Sequence, residues 1–164
     1  MNKQNFSLVL AFMTTALMAG LFYGFSVAVN PGLGMLTDQQ YIAAFQAINI
    51  AIINPAFMFC FLGAGAFLVW ATVAHRRSPR FRWLLIATLL YVIGVLFITS
   101  AFNVPMNDAI AKFQLAGATP QQMAAARTQF EGPWNGWHTV RTWANILAAL
   151  ACIIAVLQPA KYQD

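Results

Sequence analysis

Charge is what this chain has least of. Only 8% of its 164 residues are charged, where an average soluble domain has roughly 25%. Four residues are acidic, and there are two histidines and two cysteines. So small a stock of metal-ligating side chains leaves little from which to build a metal centre. No glycine-rich fingerprint follows a strand, so flavin or nicotinamide binding has no support. Linkers and low-complexity segments are missing too, and nothing divides the chain into more than one domain. The net charge of +5 requires no nucleic-acid partner, because a basic loop facing anionic lipid accounts for it.

Apolar residues fill the space that charge leaves. They make up 60% of the chain, and four long runs carry no charge: 7–29, a stretch within 41–74, 83–102 and 142–157. The first far exceeds the 7–15 residues of a signal-peptide core, so it reads as a retained helix. Soluble helices need a polar face, and these have none. The expectation is an all-α protein, an integral membrane four-helix bundle with a small helical extracytoplasmic cap. One domain covers residues 1–164, with spans at about 7–29, 55–74, 83–102 and 138–157. Its first partner is the lipid bilayer, and a homo-oligomer is compatible with the sequence. Lys3, Arg76, Arg77, Arg80, Arg82 and Lys161 fall on one side, six of the nine cations. Lys112, Arg127 and Arg141 fall on the other, among Asp38, Asp108 and Glu131. The positive-inside rule then puts both termini in the cytoplasm, beneath an inner or plasma membrane.

Local signals set the expected breaks. Asn30-Pro31-Gly32 and Gly34 end the first helix. Thr37 and Gln40 form a capping-box pattern, opening a helix whose continuation to Ala74 would be roughly 55 Å long. Pro55 should kink it, leaving 38–53 to project and 55–74 to span. The stretch 103–133 reads as a long loop with short helices at 105–115 and 120–130, the second started by Thr119-Pro120. Ala16, Gly20, Gly24 and Ala28 recur every fourth residue, a spacing that lets helices approach closely, and Gly63 and Gly65 suggest the same on the second span. Cys60 and Cys152 fall at different depths, too far apart for a disulfide.

The polar residues of the spans gather toward the outer half: Asn30, Asn49, Asn54, Thr99, Ser100, Asn103, Asn107, His138, Arg141 and Asn145. Unpaired buried amides cost several kcal/mol on the harsher scales, so these side chains should meet one another, water or a ligand, either as a hydrogen-bonded network that glues the helices or as a pocket opening outward. Trp134, Trp137, His138 and Arg141 recur at helical spacing on one face. Only 16 residues separate Arg141 from Gln158, roughly 24 Å of helix. That is short of the roughly 30 Å hydrocarbon core, so Arg141 and His138 belong at or just inside the boundary. Placed so near the surface, His138 should tolerate replacement by alanine without loss of the fold. Arg141 has a second reading as the ion-pair partner of Asp108 or Glu131. The tryptophans have another as interface anchors.

Two elements carry a resemblance. Asn103-Val104-Pro105-Met106-Asn107 follows the third span, and Trp134-x-x-Trp137-His138-x-x-Arg141 opens the fourth. Together they resemble the small four-helix membrane family that includes the fungal anthrone oxygenases. The resemblance implies oxidation of an anthrone to an anthraquinone by molecular oxygen, and directs attention to Asn103, Asn107, Trp134, His138 and Arg141. Trp137 and Asn54 join them as candidate substrate contacts. His75 lies among arginines on the opposite side, which leaves His138 as the one histidine near the site. A one-histidine metal site with Asp108 and Glu131 stays open. The favoured chemistry uses no cofactor: His138 is the base, and Arg141 with the two amides stabilises the oxyanion of a flat, hydrophobic aromatic substrate. The rate should then fall as His138 is protonated, near an ordinary histidine pKa of about 6.5. A non-catalytic quinone- or lipid-binding module, or a structural membrane subunit, is the alternative.

Overall fold

The computed structural model describes residues 3–159, so Lys161 lies outside the described residues. Seven α-helices and three π-helical segments account for nearly all of them, and no strand occurs among the described residues. Four helices are long and apolar enough to cross a membrane: Gln4–Gly34, Pro55–Ala74, Phe81–Ala111 and Pro120–Leu157. The faces they turn outward carry Leu17, Phe59, Phe97, Trp143 and Leu147. A soluble protein rarely exposes apolar surface on that scale. The chain is an integral membrane protein.

The first span runs as α1 (Lys3–Gly24), a π segment (Phe25–Val29) and α2 (Asn30–Gly34). The break expected at Asn30-Pro31-Gly32 does not occur. The Asn30 amide donates to the Phe25 carbonyl, five residues back. This wider register carries the helix past Pro31, which has no amide hydrogen and crowds the preceding turn. Pro105 is handled in the same way. The third span is α5 (Phe81–Tyr91), π segments at Val92–Phe97 and Thr99–Asn103, and α6 (Val104–Ala111). Asn103-Val104-Pro105 therefore does not end the helix, and the expected 103–133 loop shrinks to residues 112–119. There Gly117 takes φ +81, a left-handed conformation that only glycine adopts cheaply. After the loop, α7 (Pro120–Leu157) is one helix of 38 residues with Pro133 inside it.

The caps follow the sequence closely. Thr37 and Gln40 close a capping box on α3 (Asp38–Ala51), and Thr119 and Gln122 close one on α7. Between Ala51 and Pro55 the helix stops rather than kinks. Asn54 caps α4 (Pro55–Ala74) by accepting from the Phe57 amide at 3.0 Å.

The helices pack in a ring, α1 against α4, α4 against α5, α5 against α7 and α7 against α1. Its core includes Met18, Leu68, Leu84, Tyr91, Ala148 and Cys152. Close approach is real at Gly65, where an added Cβ would lie 2.9 Å from Leu96, and at Gly94, where it would lie 2.5 Å from the Ala144 Cβ. Gly20 and Gly24 meet nothing within 4 Å. The stripe expected to pack helix one against a neighbour points away from the bundle instead. Cys60 and Cys152 are both free thiols.

Hydrogen bonds identify the two ends. Gln4 donates to the Ala74 carbonyl and Arg80 to the Gln158 carbonyl, each at 3.0 Å. The start of α1, the end of α7 and the α4–α5 turn thus share one end, with Arg76, Arg77, Arg80 and Arg82. At the other, α2, α3, α6 and the first turns of α7 form a cap around Leu33, Tyr41, Phe45, Ile110, Phe130 and Trp134. Arg127 staples it. Its guanidinium donates to the Leu36 and Gly34 carbonyls, pairs with Asp38 at 3.1 Å and Glu131 at 2.7 Å, and lies over the Tyr41 ring. Burial, and then the Glu131 charge, push the Tyr41 phenol above its ordinary range.

Candidate functional site

Where α7 passes under the cap, Trp134, His138, Arg141 and Asn145 form one inward stripe at four-, three- and four-residue steps, and all four are buried. The Trp134 indole stacks on the His138 imidazole, with centroids 4.9 Å apart and planes 14° off parallel. From α1 and its π segment, Phe22 and Phe25 close on the same imidazole at 5.4 Å each. The Arg141 guanidinium lies 5.0 Å from the Phe22 ring centroid and 5.5 Å from that of Trp134. Three aromatic side chains thus box in one imidazole and one guanidinium.

Donor and acceptor matching fixes the tautomer of His138. Its Nε2 is 3.2 Å from the Phe22 carbonyl oxygen, which can only accept, so Nε2 carries the hydrogen. Arg141 Nη2, which can only donate, is 3.1 Å from Nδ1, so Nδ1 presents its lone pair. The imidazole is neutral, and its basic nitrogen is held by a cation. Arg141 Nη1 donates to Thr99 Oγ1 at 3.0 Å, and Nε has no partner.

Neither acidic residue expected as a partner reaches Arg141. Glu131 is taken by Arg127, and no carboxylate pairs with Arg141 among the described residues. A buried ion without a counter-ion costs several kcal/mol, and the two aromatic faces offset only part of that. The third span supplies amides. Asn103, 1% exposed, donates through Nδ2 to the Trp134 carbonyl at 3.4 Å, while its Oδ1 is unpartnered. Asn107 Oδ1 accepts from Trp134 Nε1 at 2.7 Å and so fixes the indole that stacks on His138.

With this arrangement in view, a family model described as anthrone oxygenase matches residues 43–151. The chain belongs to the anthrone oxygenase family. The family match takes in Asn103, Asn107, Trp134, His138 and Arg141, but Phe22 and Phe25 lie before it. No curated protein and no solved structure matches.

Five of the residues singled out in the sequence come together, and two do not. Trp137 turns away from the Trp134–His138 stack and lies on Phe102, with centroids 3.8 Å apart and planes 8° off parallel. Asn54 is exposed and spends its side chain on capping α4, its Nδ2 donating to the Ala51 carbonyl. On the cap side, Phe45 and Phe130 pack against Trp134 at 4.9 and 6.1 Å and roof the site. A groove of about 270 Å³ between α6 and α7 shares Phe130 with that roof.

Sequence reasoning missed Phe22, Phe25 and Phe45, because a phenylalanine inside an apolar run carries no mark of which way it faces. No group of three histidine, cysteine or acidic side chains converges among the described residues.

Proposed function

We propose that this protein is a membrane-bound oxygenase that oxidises a flat aromatic ketone of the anthrone type with molecular oxygen. The observation that carries the reading is a buried guanidinium with no carboxylate, hydrogen-bonded to a neutral imidazole inside an aromatic box. A guanidinium so placed stabilises an oxyanion, and a neutral imidazole beside it accepts a proton.

The substrate's keto oxygen draws Arg141 off Nδ1, which frees the lone pair as the acidic methylene arrives. His138 removes one methylene proton, and the charge moves onto the keto oxygen, held by Arg141 and the Asn103 amide. The electron-rich carbon then bonds to dioxygen, giving a peroxide that takes up a proton. Loss of the second C–H proton with cleavage of the O–O bond expels water and leaves a carbonyl. One CH₂ and one O₂ become one C=O and one H₂O, with no other reductant. Both nitrogens of His138 are engaged, one by a guanidinium that would repel a metal ion, so the reading routes no step through a metal.

Chelator-treated, purified protein should consume one O₂ per anthrone faster than the protein-free reaction, and isotopic oxygen gas should label the new carbonyl. A stoichiometric metal whose removal abolishes turnover would overturn the cofactor-free route. Tight binding of anthraquinone without turnover would leave a quinone-binding module.

The arginine-rich end and the two chain ends face the cytoplasm in this proposal, supported by the asymmetry of basic residues. In a variant lacking both native cysteines, an impermeant thiol reagent should label a cysteine at exposed Gln121 in intact cells and spare one at exposed Arg77. The opposite pattern inverts the topology.

A further inference from the structure

Asn145 lies one turn of α7 past Arg141, about 6 Å deeper into the bundle. It is 0% exposed, and neither its Oδ1 nor its Nδ2 has a hydrogen-bond partner among the described residues. Buried amides are rarely left so, because the desolvated polar atoms gain nothing in return. The same stripe holds the unpartnered Nε of Arg141, and the third span holds the unpartnered Oδ1 of Asn103. Two donors and two acceptors are thus left open around one seam between the third and fourth spans.

The backbone points to the same place. The π segment Val92–Phe97 packs against α7, and Gly94 within it allows the close approach to Ala144, the neighbour of Asn145. The other two π segments lead into prolines, Pro31 and Pro105. This one has no proline to accommodate, and such segments recur at functional sites.

We propose that Asn145 is a ligand-binding residue, and that the site continues past Arg141 to reach it. Oδ1 accepts from a hydroxyl on the ligand, beside the keto oxygen that Arg141 holds. Asn145 therefore selects aromatic ketones that carry a hydroxyl beside the carbonyl. The assignment rests on the aromatic-ketone reading given above, and a binding measurement separates the two.

The probes are 1,8-dihydroxyanthraquinone and unsubstituted anthraquinone, titrated by absorbance into the full-length protein in detergent. Wild type should prefer the hydroxylated probe by about tenfold, the scale of one good hydrogen bond. In Asn145→Leu, close in volume and apolar, that preference should collapse toward unity while the unfolding temperature is kept. Asn145→Ala gives the same readout if the leucine variant does not accumulate. Equal binding of both probes by wild type, or a preference that survives in the variants, overturns the role of Asn145 alone. Failure of wild type to bind either probe overturns the aromatic-ketone reading, and this assignment with it.

Discussion

Arg141→Met should lower the oxidation rate by about 10²–10³-fold, the usual loss when one oxyanion donor is removed, without lowering the unfolding temperature. The two halves of this result come from one geometry. Arg141 is 6% exposed, has no carboxylate partner among the described residues, and leaves Nε unpaired. Replacing buried charge with a well-packed apolar side chain is often neutral or stabilising. Against this, the loss of Nη2 leaves His138 Nδ1 without a donor, at a cost of about 1–3 kcal/mol. Thr99 Oγ1 still donates to the Val95 carbonyl at 2.6 Å, so it is not orphaned. Arg141→Lys keeps the charge but cannot reach Thr99, His138 and a ligand from one planar fork. It should recover little activity. A thermal scan beside an oxygen-electrode assay checks both halves. A steep fall in stability with normal specific activity in the surviving protein would make Arg141 a structural residue.

The second large effect is at His138, and the informative exchange is to glutamine. Burial to 2% exposure, the bond to Phe22 and the stack on Trp134 overturn the expectation that alanine would be harmless here. His138→Ala removes a packed ring and strands a guanidinium donor, so it should lower stability as well as rate. Glutamine can donate to the Phe22 carbonyl through Nε2 and accept from Arg141 through Oε1, but it is no base. His138→Gln should therefore fold and bind anthraquinone as wild type does, while turnover falls by about 10²–10⁴-fold, the range for a general base. Retention of the wild-type rate in His138→Gln would remove the proton-transfer role.

The sequence was most legible where structure is decided within a few residues. Thr37 with Gln40 is a local device, and its box forms as the spacing implies; the helix start expected at Thr119-Pro120 also forms, with a box closed by Gln122 that was not foreseen. Four apolar runs became four candidate spans for the same reason. Pro31, Pro105 and Pro133 misled, because a proline's local meaning is a break. Whether the helix instead continues, through a π register before Pro31 and Pro105 and as regular α-helix at Pro133, depends on neighbours far away in the chain. The glycines misled in parallel: Gly20 and Gly24 have the spacing of a helix contact and touch nothing, while Gly94, with no motif around it, sits against Ala144. In the site, Trp134, His138 and Arg141 were readable because one helix presents all three. Trp137 was misplaced because three-residue spacing is shared by neighbouring faces, and Phe102 claims it. The walls from α1 were unreadable, since no pattern within residues 3–34 refers to His138.

The passage of three spans straight through the cap has a mechanical meaning. A roof built from the upper ends of the pillars cannot be lifted off them. α2, α6 and the start of α7 are rigid continuations, and to move one of them is to lean a whole span. Only α3 hangs between two links of three residues, 35–37 and 52–54, and it carries Phe45, the ring against Trp134. The bolt on that one movable piece is Arg127, which grips Gly34, Leu36 and Asp38 at its leading edge. In the proposed reading, a substrate would have to reach the imidazole either by parting two spans within the bilayer or by drawing Arg127.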